Sequence, residues 1–86
     1  MSGQNFPVSE YYRTNIVDAI TVARNGPWWT AVLLITDPKT TKPFIALYRW
    51  QRVGGEWKTR KRFTFRTLRE ITTTVDAVLQ FAKQLS

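Results

Sequence analysis

Gly54-Gly55 separates two runs of alternating aromatic, apolar and basic residues, and this pair constrains the fold more than any other feature of the chain. A Gly-Gly connection suits the primed two-residue hairpin turns, whose central residues need positive φ. Residues 44–53 and 56–66 therefore read as two antiparallel strands, with Val53 facing Glu56 and the register following from there. Counted without interruption, one face holds Phe44, Ala46, Tyr48, Trp50 and Arg52 opposite Phe65, Phe63, Lys61, Thr59 and Trp57. The other holds Ile45, Leu47, Arg49, Gln51 and Val53 opposite Thr64, Arg62, Arg60, Lys58 and Glu56, which sets Arg49 against Arg60.

The flanking segments follow from periodicity and turn chemistry. Residues 28–36 are apolar on both faces and bounded by turn residues, the pattern of a central strand. A turn over 37–43, with prolines at its ends, leads to the hairpin. Thr67 and Glu70 have the spacing of a capping box. Beyond them Leu68, Ile71, Val75, Val78, Leu79, Ala82 and Leu85 form a helical stripe to the C-terminus. Residues 1–8 lack periodicity and read as a loose terminus. Over 9–24, Tyr12, Ile16, Ala19, Ile20 and Ala23 recur at helical spacings, with Ser9 as N-cap, so an amphipathic helix is expected there. A strand entering an Asn25-Gly26 turn is the competing reading, favoured by the β-branched residues Thr14, Ile16, Val17, Ile20, Thr21 and Val22, although Pro27 would then spoil the partner strand's first donor. The fold class is α+β: a three- to four-stranded antiparallel meander flanked by an N-terminal and a C-terminal helix, in one domain over 9–86.

Charge is unevenly spread. The 86 residues carry 13 Lys and Arg against 6 Asp and Glu. Residues 39–69 hold ten of those bases and one acid, Glu56, a local net of +9. Such a balance favours polyanionic partners. The chain has no Cys and no His, so thiol chemistry, disulfides, the commonest general base and the commonest metal ligands are missing. Its six carboxylates are scattered, and no phosphate-binding glycine loop is present. The longest apolar run, residues 31–35, is far too short to span a bilayer, and no signal-peptide pattern opens the chain. A cytoplasmic binding module is expected, nucleoid-associated if its ligand is DNA. No catalysis, metal, small-molecule cofactor or membrane partner is expected.

Basic and aromatic residues interleave in Tyr48-Arg49-Trp50 and in Lys61-Arg62-Phe63-Thr64-Phe65-Arg66. Bases of single-stranded nucleic acid stack on aromatic faces while Arg and Lys follow the backbone. Like charges opposed across a ladder are destabilising unless an anion lies over them. Phe44, Ala46, Phe63 and Phe65 are expected in the core. Tyr48, Trp50 and Trp57, nearer the Gly-Gly turn, are candidates either for stacking or for core. Trp28 and Trp29 point to opposite sides, so at most one is exposed. The basic run 58–62 has a bland alternative as a solvated face.

The stretch YRWQRVGGEWKTRKRFTFR (residues 48–66), followed by TLREITTTVDAVLQFAKQL (67–85), resembles small archaeal single-stranded-DNA-binding proteins of the ThermoDBP-related group. More loosely, a basic twisted sheet followed by a helix is similar to the transcriptional-coactivator and Whirly type of single-strand binder. The resemblance implies homo-oligomers and a sheet-built cleft, lined by aromatics and rimmed by bases, that takes single strands without strong sequence preference. It implies Tyr48, Trp50 and Trp57 as platforms, with Arg49, Arg52, Lys58, Arg60, Lys61 and Arg62 as backbone contacts; Arg66, in the same basic run, is a further candidate for the nucleic-acid site. The expected function is non-catalytic binding of single-stranded DNA or RNA. Two other expectations compete with it: an assembly module that oligomerises through its apolar sheet face and C-terminal helix, and a double-stranded DNA chromatin protein.

Overall fold

The computed structural model describes residues 6–85. A one-turn helix α1 (Glu10–Arg13) precedes β1 (Ile16–Asn25), β2 (Trp28–Thr36), β3 (Pro43–Val53) and β4 (Glu56–Phe65). Helix α2 (Leu68–Ala82) follows and ends in a 3₁₀ turn, Lys83–Leu85. The strands form one antiparallel sheet in the order β1-β2-β3-β4. Fold class and C-terminal helix are as expected, and the meander has four strands.

The helix expected over 9–24 is confined to α1; residues 16–25 are a strand. Ser9 precedes α1 without a side-chain capping bond. The β-branched run prefers the pleated surface, and pairing with β2 outweighs the helical spacing. Gly26, at φ 56°, and Pro27 form the two-residue turn between Asn25 and Trp28. Pro27 sits in the turn, where it forfeits no ladder donor, and its carbonyl accepts from the Arg52 amide at 2.7 Å.

The Gly54-Gly55 turn is as expected, with both residues at positive φ and Val53 paired with Glu56. The predicted register holds through Trp50 opposite Thr59 and then breaks. Arg60 is an extra residue in β4, so Arg49 pairs with Lys61, Tyr48 with Arg62, Leu47 with Phe63 and Ile45 with Phe65. One extra residue transfers every later side chain to the opposite face. Phe63 and Phe65 consequently leave the core face assigned to them, and Phe63 is 52% exposed.

The two faces of the sheet differ. On the inner face, Trp29, Ala31, Leu33 and Ile35 of β2 and Phe44, Ala46, Tyr48 and Trp50 of β3 are all buried. The N-terminal segment covers them: Phe6 and Val8 belong to this core. The loose terminus expected over 1–8 therefore does not extend to these residues, and its first five positions lie outside the described ones. The Phe6 ring centre is 5.2 Å from that of Trp29 and 6.0 Å from that of Trp50, and Tyr12 meets Phe44 edge-on at 5.6 Å. Arg13 donates to the Val8 carbonyl at 3.0 Å and holds the segment in place. Trp29 Nε1 donates to Thr21 Oγ1 at 3.1 Å, whereas buried Trp50 Nε1 has no acceptor among the described residues.

Helix α2 starts as its sequence requires. The Thr67 hydroxyl accepts from the Glu70 amide at 3.1 Å, and the Glu70 carboxylate accepts from the Arg66 amide at 2.9 Å, one residue earlier than in a reciprocal capping box. Arg66 also pairs with Asp37 at 3.8 Å. Yet α2 contains no buried residue. Among the described residues no helix is long and apolar enough to cross a membrane.

Candidate nucleic-acid interface

The outer face is built from four cross-strand rows. Two are mainly apolar, Ile20-Val32-Leu47-Phe63 and Asp18-Leu34-Ile45-Phe65. The other two, nearer the hairpin turns, are Ala23-Thr30-Arg49-Lys61 and Asn25-Trp28-Gln51-Lys58. The outer face thus divides into an apolar half beside α2 and a basic half beside the turns. The strand parities that put Trp29 and Trp50 inside put Trp28, Arg49 and Gln51 outside.

In the basic half the cations face one another, and none forms an ion pair among the described residues; Glu56, opposite Val53, stands at the turn end of the same face. Arg49 is directly opposite Lys61, and Lys58 lies in the next row. Among the described residues the one ion pair of the protein is Arg66 with Asp37, at the other end of the sheet. The Arg49 guanidinium carbon is 4.5 Å from the centre of the Trp28 ring. Arg60, displaced by its bulge, donates from Nε to Gln51 Oε1 at 2.9 Å, which brings its guanidinium over the same face. A shallow hollow of about 580 Å³ is lined by Thr30, Leu47, Arg49, Arg60, Lys61, Arg62 and Phe63. Its cations suit phosphates, and the exposed Phe63 ring suits a stacked base.

The structure thus separates the residues expected to act together. Arg49, Lys58, Arg60 and Lys61 gather on the outer face. Arg62 reaches the hollow at its β4 rim but pairs with buried Tyr48, so the pleat aims it toward the inner face. Arg52 pairs with Trp57 beside the Gly-Gly turn. Arg66 lies at the apolar end, its guanidinium carbon 4.5 Å from the Phe44 ring centre. The aromatic platform moves altogether. Tyr48 and Trp50 are 4% and 0% exposed, ring centres 5.2 Å apart and nearly parallel, beneath the N-terminal segment. Trp57 is half-buried against Trp29 at 5.4 Å, and Arg24 lies over both rings. The parity of Tyr48 and Trp50 on β3 places them on the core side, where they offer no open ring to a ligand, and Trp57 of β4 packs at the edge of the same core.

Sequence reasoning missed Phe63 as an outward-facing aromatic and left Trp28 unassigned. For Trp28 the signal was present, because a neighbour of a core tryptophan in a strand must point outward. For Phe63 none was, because the Arg60 bulge carries no glycine to mark it. Comparison with known proteins finds no matching family model, no matching curated protein and no matching solved structure.

Proposed function

We propose that this protein is a non-catalytic binder of single-stranded nucleic acid, DNA or RNA, largely indifferent to sequence, and that the basic half of the outer face is its contact surface. One observation carries the reading: Arg49 and Lys61 are opposed across β3 and β4, with Lys58 and Arg60 beside them and no carboxylate in the group. Such a juxtaposition costs stability in the free protein and is relieved when phosphates lie across it. Phe63 at the edge of the hollow supplies a ring for a base, whichever base it is. A flat, open face suits a flexible strand, which can lay both backbone and bases against it. A partner of this kind implies a cytoplasmic, nucleoid-associated protein if the strand is DNA.

The reading is tested by titrating the protein with an oligo-dT strand, a duplex of equal length and heparin, at low and at moderate salt. The single strand is expected to bind at least tenfold more tightly than the duplex, and to retain that preference as salt rises. Equal affinity for all three ligands, or weak binding to each, overturns the proposal.

A further inference from the structure

Of the four tryptophans, Trp28 alone points to the outer face; Trp29 and Trp50 are buried and Trp57 packs against them. Trp28 is half-buried, and the Arg49 guanidinium carbon stands 4.5 Å from its ring centre. Arg49 has two neighbours of opposite effect. Lys61, directly across on β4, repels it. Trp28 attracts it from the other side, one strand away on β2 and two residues nearer the turns. In the free protein the guanidinium therefore leans away from β4 and onto the indole.

A phosphate reverses that balance. Lodged between Arg49 and Lys61, it turns the repulsion of two cations into the attraction of both to one anion. The guanidinium then has two parallel hydrogen bonds to gain from the phosphate oxygens. The cation–π contact it gives up is weak at an exposed site, and a base stacked on the freed ring is worth more. We infer that Trp28 is a second base platform, covered by Arg49 in the free protein and opened when Arg49 takes a phosphate. The inference rests on the reading of this face as a single-strand surface.

The register sets the path of the strand. Arg49 is one strand and two residues from Trp28 in one direction, and one strand and two residues from Phe63 in the other. With strands about 4.8 Å apart and a rise of about 3.3 Å per residue, each leg is about 8 Å and the two rings stand roughly 16 Å apart. That is about five steps of a stacked strand at about 3.4 Å each, and fewer where bases splay onto the rings. A hexanucleotide thus crosses the sheet diagonally, a base on each ring and its middle phosphates over Arg49 and Lys61. A duplex cannot follow this path, because its bases are stacked inside the helix and cost free energy to extrude.

The experiment compares two hexameric ligands on the full chain: oligo-dT, and a base-free strand with the same number of phosphates. Trp28→Leu should bind oligo-dT at least fivefold more weakly than the wild type, while its affinity for the base-free strand and its salt slope stay unchanged. Trp28→Phe keeps a ring and should recover most of the loss. In the wild-type chain labelled with 5-fluorotryptophan, the Trp28 fluorine signal, identified by its absence from Trp28→Phe, should move with the base-free strand as Arg49 leaves. It should move to a different position with oligo-dT as a base arrives. Equal losses on both strands would make Trp28 only a support for Arg49 and overturn the inference. So would full affinity of Trp28→Leu for oligo-dT, or a wild-type fluorine signal that oligo-dT leaves in place. A wild-type chain that binds neither strand overturns the single-strand reading itself, and the inference falls with it.

Discussion

Arg49 holds its guanidinium carbon 4.5 Å from the centre of the Trp28 ring, one row diagonally along the outer face. The indole face contributes about 0.5–1 kcal/mol to such a contact at an exposed site. It also offsets part of the repulsion between Arg49 and Lys61 in the free protein, and keeps the arginine over the sheet rather than loose in solvent.

Removing cations from this face should change the salt dependence of binding by a countable amount. For a single strand, log affinity falls with log salt by about 0.7 per phosphate contact. Arg49→Ala and Lys61→Ala should each flatten the slope by about that much, and the double variant by about twice as much. Arg66→Ala, at the far end of the sheet, should leave the slope unchanged. Affinities measured at four or five salt concentrations for each variant check this.

Aromatic substitutions should separate binding from stability. Phe63→Ala removes an exposed ring and should cost roughly 1–3 kcal/mol of single-strand affinity, with a small change in melting temperature. Trp50→Ala empties a fully buried site and should cost about 3–5 kcal/mol of stability, whatever the ligand. Thermal melts and titrations on the same two proteins make the comparison. A Phe63→Ala protein with full affinity would remove that ring from the site.

The Arg60 bulge can be tested by deletion. Without Arg60 the ladder would run on regularly, with Trp50 opposite Thr59 and Arg49 opposite Lys61 as they now stand. The deletion variant should therefore fold and retain the Leu47-Phe63 cross-strand contact, observable as a nuclear Overhauser effect. It should lose the added local twist and the cation that Arg60 contributes. Loss of that contact would show that the bulge does more than insert a residue.

The hairpin turn should obey backbone preference alone. Gly55 has φ 84°, and a Cβ built there meets nothing within 4 Å. Gly55→Ala should cost about 1–2 kcal/mol through left-handed strain. Gly55→Asn should cost less, because Asn tolerates that region. Denaturant midpoints of the two variants decide it, and equal losses would point to a steric cause instead.

The order of elements after residue 27 was legible because it rests on local chemistry. Gly54-Gly55 sets a turn, Thr67 and Glu70 start a helix, and the residue types on either side carry the matching period. The excess of bases over residues 39–69, and hence the class of partner proposed, was likewise legible, since charge counts need no coordinates. Residues 16–25 were ambiguous for a stated reason: their apolar spacing suits a helix and their branching suits a strand. Pairing with β2, a tertiary event, decided between them.

Only the folded chain determined which side chains meet. The sequence by itself specified the hairpin between β3 and β4 and its register next to the turn, because turn geometry dictates the first pairs. The extra residue Arg60 then reversed the parity of everything beyond it, sending Phe63 outward and leaving Lys61 opposite Arg49. The covering of Tyr48 and Trp50 by Phe6 and Val8, forty or more positions away in the chain, was equally outside local reach. Side-chain type and spacing limit what each strand can present. Which face is closed depends on which distant segment packs against it, and that is settled by burial of apolar surface across the whole molecule.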